Sequence, residues 1–180
     1  MNEGLIPRRY AKALYKVASE RNEDSRLFTL MQTLADSFAA NPQLQETVAN
    51  PFVDNAEKAK LLTIAAGATA ADSTFADFLK LLAENRRVDL IHHIALAYMF
   101  IYRKAHNIRK VEVVSAAPLD PAVEKRIKDL ISKHLDGGTM EFSNSVNPDL
   151  IGGFIVNIDN ERLDASLANE LKQLRISLLN

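Results

Sequence analysis

The apolar residues of this chain follow one period through residue 105 and another afterwards, and that switch constrains the fold more than any other feature. Ile6, Tyr10, Ala13, Leu14, Val17 and Ala18 recur at i, i+4, i+7, i+8, i+11 and i+12, one face of a helix. Leu27, Leu30, Met31, Leu34 and Phe38 repeat the pattern in a second helix. Asn41-Pro42 supplies an N-cap and an N1 proline for a short third helix carrying Leu44 and Val48, and Asn50-Pro51 stops it. Asp54 and Glu57 form a capping-box-like start to a fourth helix, with Gly67 just past its end. Ser73 is expected to cap a fifth, with Phe75, Phe78, Leu79 and Leu82 inward. Asp89 opens a sixth, with Ile91, Ile94, Ala95, Tyr98, Ile101 and Tyr102 on one face. Six helices with short loops predict an antiparallel bundle over residues 1–105.

From His106-Asn107 the period shortens. Val111 and Val113 alternate with Lys110 and Glu112, which predicts a half-exposed strand ended by Pro118. Asp120-Pro121 starts a helix with Val123, Ile127, Leu130, Ile131 and Leu135 on one face, closed by Gly137-Gly138. Met140, Phe142 and Val146 alternate in a second strand. Asn147-Pro148 turns the chain into an apolar third strand, Leu150 to Ile158, expected to be covered on both faces. Asp159-Asn160 makes a tight turn into a short stretch, Glu161 to Leu163. Asp164 is expected to cap a last helix striped by Leu167, Leu171, Leu174 and Leu178. The fold class expected is therefore α+β multidomain: a six-helix bundle over 1–105, then a small α/β domain over 106–180.

Known chemistries find little support. Net charge is −1, with 13 basic and 12 acidic side chains through residue 105 and 9 and 11 beyond, so nucleic acid is not the default partner. There is no cysteine, which excludes disulfides and thiol catalysis and fits a reducing compartment. The longest uncharged apolar run, Ile94–Tyr102, falls short of the ~20 residues a spanning helix needs. The N-terminus is charged and lacks the apolar core of a secretory signal, so a soluble chain is expected.

His92 and His93 are adjacent and, on a helix, point about 100° apart, which does not suit one metal ion. Gly152-Gly153 lacks the directly following helix that a phosphate cradle requires, and reads instead as a bulge or close backbone approach. No Gly-x-Ser-x-Gly elbow is present. Arg86-Arg87 follows the fifth helix, where it compensates the dipole or offers an acidic partner a contact. Neither a cofactor nor a metal is expected, and no enzymatic activity.

Two stretches suggest partner binding. Tyr10 and Leu14 of the first helix and Phe75, Phe78 and Leu79 of the fifth exceed what one core face requires. Those not used in the bundle could line a groove for a partner helix. The leucine stripe of the last helix could pack on its own sheet or in a coiled coil.

Five segments in order carry a family resemblance. They are Arg8-Arg9-Tyr10-Ala11-Lys12-Ala13-Leu14, Asn41-Pro42-x-Leu44 with Asn50-Pro51, Phe78 to Asn85, Leu150-Ile151-Gly152-Gly153-Phe154, and Asp164-Ala165-Ser166-Leu167 followed by Leu171 and Leu174. With them the chain resembles the delta subunit of bacterial F-type ATP synthase, the counterpart of the mitochondrial oligomycin-sensitivity-conferring protein. It departs from the family pattern at Arg86, where many members carry Gly, at Asp159-Asn160, and at Ala165.

The resemblance implies a non-catalytic stator subunit that joins the catalytic head to the peripheral stalk and resists rotor torque. It implies that the N-terminal part binds the N-terminal helix of an alpha subunit, in a groove of Tyr10, Ala11, Leu14, Phe75, Phe78, Leu79 and Arg86. The C-terminal part would hold b-type stalk subunits through Gly152, Gly153, Phe154, Asp164, Ser166, Leu167 and Leu171. It places the protein at the cytoplasmic face of the bacterial inner membrane, associated only through the complex. The alternatives are a free-standing helix-binding module, and an RNA-binding bundle using Arg8, Arg9, Arg86 and Arg87, whose binding would fall steeply with salt.

Overall fold

The computed structural model describes residues 4–134, 138–159, 161–169, 171, 172 and 176. The chain divides into two compact units, Met1–Arg103 and Lys104–Asn180.

In the first unit lie α1 (Leu5–Glu20), α2 (Asp24–Ala40), α3 (Pro42–Ala49), α4 (Asn55–Ala65), α5 (Ser73–Glu84) and α6 (Ile91–Ala105), the last crossing the division by two residues. A single 3-10 turn, Val88–Leu90, precedes α6 and holds Asp89, so the sixth helix opens later than Asp89 suggests. α2 packs against α1, α3 and α4, and α4 against α5. The interior is the apolar stripe of each helix, including Leu30, Met31, Leu34, Leu62, Leu82 and Ile94. Tyr98 is fully buried, yet its hydroxyl donates to the Asp24 carbonyl (3.1 Å), which satisfies the one polar atom that burial would strand. Burial pushes the Tyr98 hydroxyl far above its ordinary pKa.

Helix ends follow the sequence signals unevenly. Asn41 stands at the N-cap of α3 with Pro42 at N1, and Asp54 at the N-cap of α4, though neither side chain makes a cap hydrogen bond. Ser73 does not cap α5: it is the first helical residue, and Asp72 holds the N-cap position. The Asp72 carboxylate turns away to grip Arg26 of α2 in a two-point pair (2.8 and 2.9 Å) and accepts from the N–H and hydroxyl of Thr69. At their C-termini α1, α4 and α5 close in one way, through a left-handed residue flanked by 6→1 and 5→2 backbone bonds. Those residues are Asn22, Gly67 and Arg86. Gly67 takes this conformation freely, whereas Arg86 (φ 54°) takes it against the steric preference of a side chain.

The second unit contains β1 (Ile108–Ser115), α7 (Pro121–His134), β2 (Thr139–Val146), β3 (Gly153–Ile158) and β4 (Glu161–Ser166). The sheet order is β2-β1-β3-β4, with β1 parallel to β2 and the remaining pairs antiparallel. A parallel neighbour needs a crossover, and α7 supplies it. Val111 and Val113 of β1, Val156 of β3 and Ile127 and Ile131 of α7 form the core, edged by Leu119, Met140, Phe142, Phe154 and Ile158. The unit is therefore α+β, with a mixed sheet covered by a helix.

Several expectations change here. Among the described side chains of α7 only Ile127 and Ile131 are buried, while Val123 and Leu130 stay exposed, because one i, i+4 row of the helix meets the sheet. The third strand begins at Gly153 rather than Leu150, and only Ile155 and Val156 are buried within it. Val146 at the end of β2 is exposed. Glu161 to Leu163 is the first half of a strand that runs through Ser166 and includes Asp164. Residues 167–169, 171, 172 and 176 are helical. Leu135, Gly137, Asn160, Leu174 and Leu178 lie outside the described residues.

Candidate functional site

The groove residues expected from sequence separate by burial. Pro7, Ala11, Leu14 and Ala18 form the inward stripe of α1, and Thr74, Phe75, Phe78, Leu79 and Leu82 that of α5. Ala11, Leu14, Phe75, Phe78 and Leu79 are thus interior side chains of the unit itself, and the reading of them as open groove lining is corrected. Two helices of a small unit must each contribute a whole apolar stripe to its core, and these are the residues that do so.

What remains accessible is a neighbouring stripe. Ile6, Tyr10, Ala13 and Val17 fall at i, i+4, i+7 and i+11 along α1, beside the buried row. Ile6 and Tyr10 are half-buried, Ala13 is exposed, and Val17 is 40% exposed. Tyr10 meets Phe78 of α5 edge to face, with centroids 6.4 Å apart, so this stripe borders α5. Leu81, 45% exposed, stands three residues beyond Phe78 on the same helix. Arg87, just past α5, donates to the Tyr10 hydroxyl (3.1 Å) and stands 5.6 Å from the centre of its ring.

On the inward-facing helices α1 and α5, Val17 and Leu81 are accessible apolar residues that sequence reasoning missed. The signal for Leu81 was present: it lies off the inward spacing of Phe75, Phe78, Leu79 and Leu82. Val17 could not be separated from Leu14 and Ala18 by period alone. Arg86 is exposed and lies elsewhere, lining a cavity with Val48, Pro51, Asn55, Lys58 and Asp89.

In the second unit the signature residues form one connected turn system. Ile151 occupies the centre of a γ-turn (φ 64°) closed by the Gly152 N–H on the Leu150 carbonyl at 2.6 Å. Gly153 (φ 76°) pairs with Ser166, and a Cβ on it would collide with the Ala165 carbonyl. A Cβ on Gly152 would meet the Leu167 side chain. The glycine pair is thus a close approach between backbones, and β4 with the residues after it fits only because no side chain intervenes. Phe154 pairs with Ala165 and with Ser115, placing it between β1 and β4 at the edge of the core.

Ser166, rather than Asp164, caps the last helical segment: its hydroxyl oxygen accepts the Asn169 N–H (3.3 Å). Asp164 supports it from β4, accepting the Ser166 hydroxyl (2.6 Å) and N–H (3.1 Å) and pairing with Arg162. The Ser166 hydrogen bonds hold the Asp164 carboxyl below its usual pKa range, with a smaller contribution from Arg162. Leu167 and Leu171 are both exposed, as are Ile151, Leu163 and Ile176, so the leucine stripe is turned at least partly outward.

This chemistry suits binding. Among the described residues no three His, Cys, Asp or Glu side chains gather as a metal site. The His92 ring stacks on Phe38 (4.9 Å between centroids), and burial, then His93, lowers its pKa, so it behaves as a packing residue.

A sequence profile of the family described as ATP synthase delta (OSCP) subunit matches residues 6–178. A protein of Parabacteroides distasonis named ATP synthase subunit delta is 40% identical, over 99% of this chain and 98% of its own length. One of the same name from Bacteroides thetaiotaomicron is 35% identical over 97% of this chain and 94% of its own. Among solved structures, a chain in the cryo-EM structure of the Toxoplasma gondii mitochondrial ATP synthase hexamer has the same fold. Its TM-score is 0.76 at 20% identity, covering 97% of both chains.

Proposed function

The chain belongs to the ATP synthase delta (OSCP) subunit family, a peripheral-stalk component of F-type, proton-transporting ATP synthase, and from that premise we propose how each of its units attaches. The first unit, read as an antiparallel bundle over residues 1–105, receives the N-terminal helix of an alpha subunit. The second, residues 106–180, holds the distal ends of the b-type stalk subunits. The subunit acts as a mechanical link without catalysis of its own. No described helix is long and apolar enough to cross a membrane. In this reading the protein reaches the cytoplasmic face of the inner membrane through its complex.

The observation that carries the head contact is the accessible stripe Ile6, Tyr10, Ala13 and Val17 of α1, together with Leu81 exposed on α5. It offers an apolar strip along α1, with Phe78 beneath Tyr10, suited to the apolar face of another helix. A partner helix burying about four apolar side chains gains roughly 6–12 kcal/mol. Ordering and association offset about 4–15 kcal/mol of that. A second attachment through the other unit therefore matters, since two linked contacts hold more firmly than either alone. For the stalk contact, the support is the set of exposed apolar side chains Ile151, Leu163, Leu167, Leu171 and Ile176, with Leu167 lying against Gly152 of the glycine turn.

Titration calorimetry against a peptide spanning the alpha subunit's N-terminal helix, at low and high salt, tests the head contact. One-to-one binding that barely changes with salt is expected. Absence of binding would reject the head contact, and a steep loss with salt would favour the basic-patch alternative.

A further inference from the structure

Lys58, on the first turn of α4, is nearly fully buried for a charged residue, at 7% exposed. Its ammonium makes no hydrogen bond or ion pair with any described residue. Its stem is packed while its ammonium keeps contact with solvent, so the charge is held in one place without being sealed away. Lys58 lines a cavity of about 400 Å³ walled by Val48, Ala49, Pro51, Asn55, Arg86, Val88 and Asp89. Arg86, itself the left-handed residue that closes α5, is a second cation, with no ion-pair partner among the described residues. Asp89 supplies the cavity's one carboxylate and forms no salt bridge with either cation. The lining thus carries two positive charges and one negative, with the Asn55 amide able to donate. Two donors of positive charge around a partly apolar recess match an oxyanion.

We propose that this cavity is an oxyanion site that binds a carboxylate or phosphate group between Lys58 and Arg86. Lys58 forms the inner contact, because its packed stem restricts where its ammonium can sit. Arg86 closes over the group from the rim. Asp89 opposes binding and sets its strength. The cavity is separate from the Tyr10, Val17 and Leu81 strip, so the site can exist whether or not that strip binds a helix.

Two-dimensional NMR of the full chain, titrated in parallel with inorganic phosphate and with N-acetylglutamate amide at constant ionic strength, tests the proposal. Saturable shifts confined to residues 48–58 and 86–89 are expected for at least one probe. The probe that binds identifies the source, a free anion or an acidic side chain. Lys58→Met should lower the apparent affinity at least tenfold, and Asp89→Asn should raise it severalfold. A purely structural lysine would give no saturable shifts in the unaltered chain and no gain in Asp89→Asn, and either result overturns the site. Should Lys58→Met fail to fold, the unaltered chain and Asp89→Asn still decide.

Discussion

Arg87 donates a hydrogen bond to the Tyr10 hydroxyl at 3.1 Å while its guanidinium stands 5.6 Å from the centre of the same ring. The pair ties α1 to the chain leaving α5, 77 residues later. Tyr10→Phe keeps the edge contact with Phe78 and loses only the hydroxyl bond. Stability should fall by at most about 1 kcal/mol, because the bond is exposed. Tyr10→Ala loses the ring pair as well, about 0.5–1.5 kcal/mol more, beyond the area it buries. Urea melts of the two variants measure the difference.

Interior and accessible positions of the proposed strip should separate cleanly. Leu79 is 2% exposed, so Leu79→Asp buries a charge and removes a core side chain. A loss of about 3–5 kcal/mol is expected, visible as a lost or strongly lowered helical melting transition. Val17→Asp and Leu81→Asp should leave the melt within about 0.5 kcal/mol. The same two changes should weaken binding of the alpha-helix peptide by tenfold or more, about 1.4 kcal/mol. Unchanged affinity in both would place the head contact elsewhere.

Asp72 makes stability depend on pH at the acid end. The bond from Arg26 holds its carboxyl well below the usual carboxylate range, aided by Thr69. A lowered folded pKa contributes stability in full above the unfolded value, about 3.9, and that stability is lost as pH falls towards the folded value. Asp72→Asn should cost about 1–2 kcal/mol at neutral pH, Arg26 being half exposed. The gap between variant and parent should close below about pH 4. Thermal melts across that range give the curve, and a gap independent of pH would remove the ion pair from the account.

The turn before β3 stores strain at one residue and avoids it at another. Ile151, a β-branched residue 71% exposed, holds a positive φ. Ile151→Gly should stabilise the second unit by about 1 kcal/mol or more. Gly153→Ala should do the reverse and more strongly, since the new methyl strikes the Ala165 carbonyl. If Ile151→Gly also weakens attachment of b-type subunits in reconstituted complex, the exposed isoleucine is a contact and its strain is kept for that purpose.

Much of this was legible in the residues, and the failures share a cause. The i, i+3, i+4 rows of α2 and the alternation of Val111 and Val113 are local patterns, and the chain folds as they indicate. Arg86 was visible as a departure at a helix end, and it does occupy the left-handed position. Ser73, Asp164 and Leu150 were misread because each has a competing local role. Ser73 lost the cap position to Asp72, Asp164 was drawn into β4, and Leu150 entered a turn that the Gly153–Ser166 approach imposes.

The sequence by itself determined the element types, the change of architecture near residue 106, the inward stripes and the family, because these depend on spacing along one segment. Tertiary structure decided which flank of α1 stays open, and that Leu14 and Leu79 are interior while Val17 and Leu81 are not. It also decided that Lys58 lies beside Arg86 and Asp89. Those outcomes turn on which surfaces meet. A helix's own periodicity fixes the direction of its apolar face, but only the neighbouring element fixes how wide a strip of that face is covered.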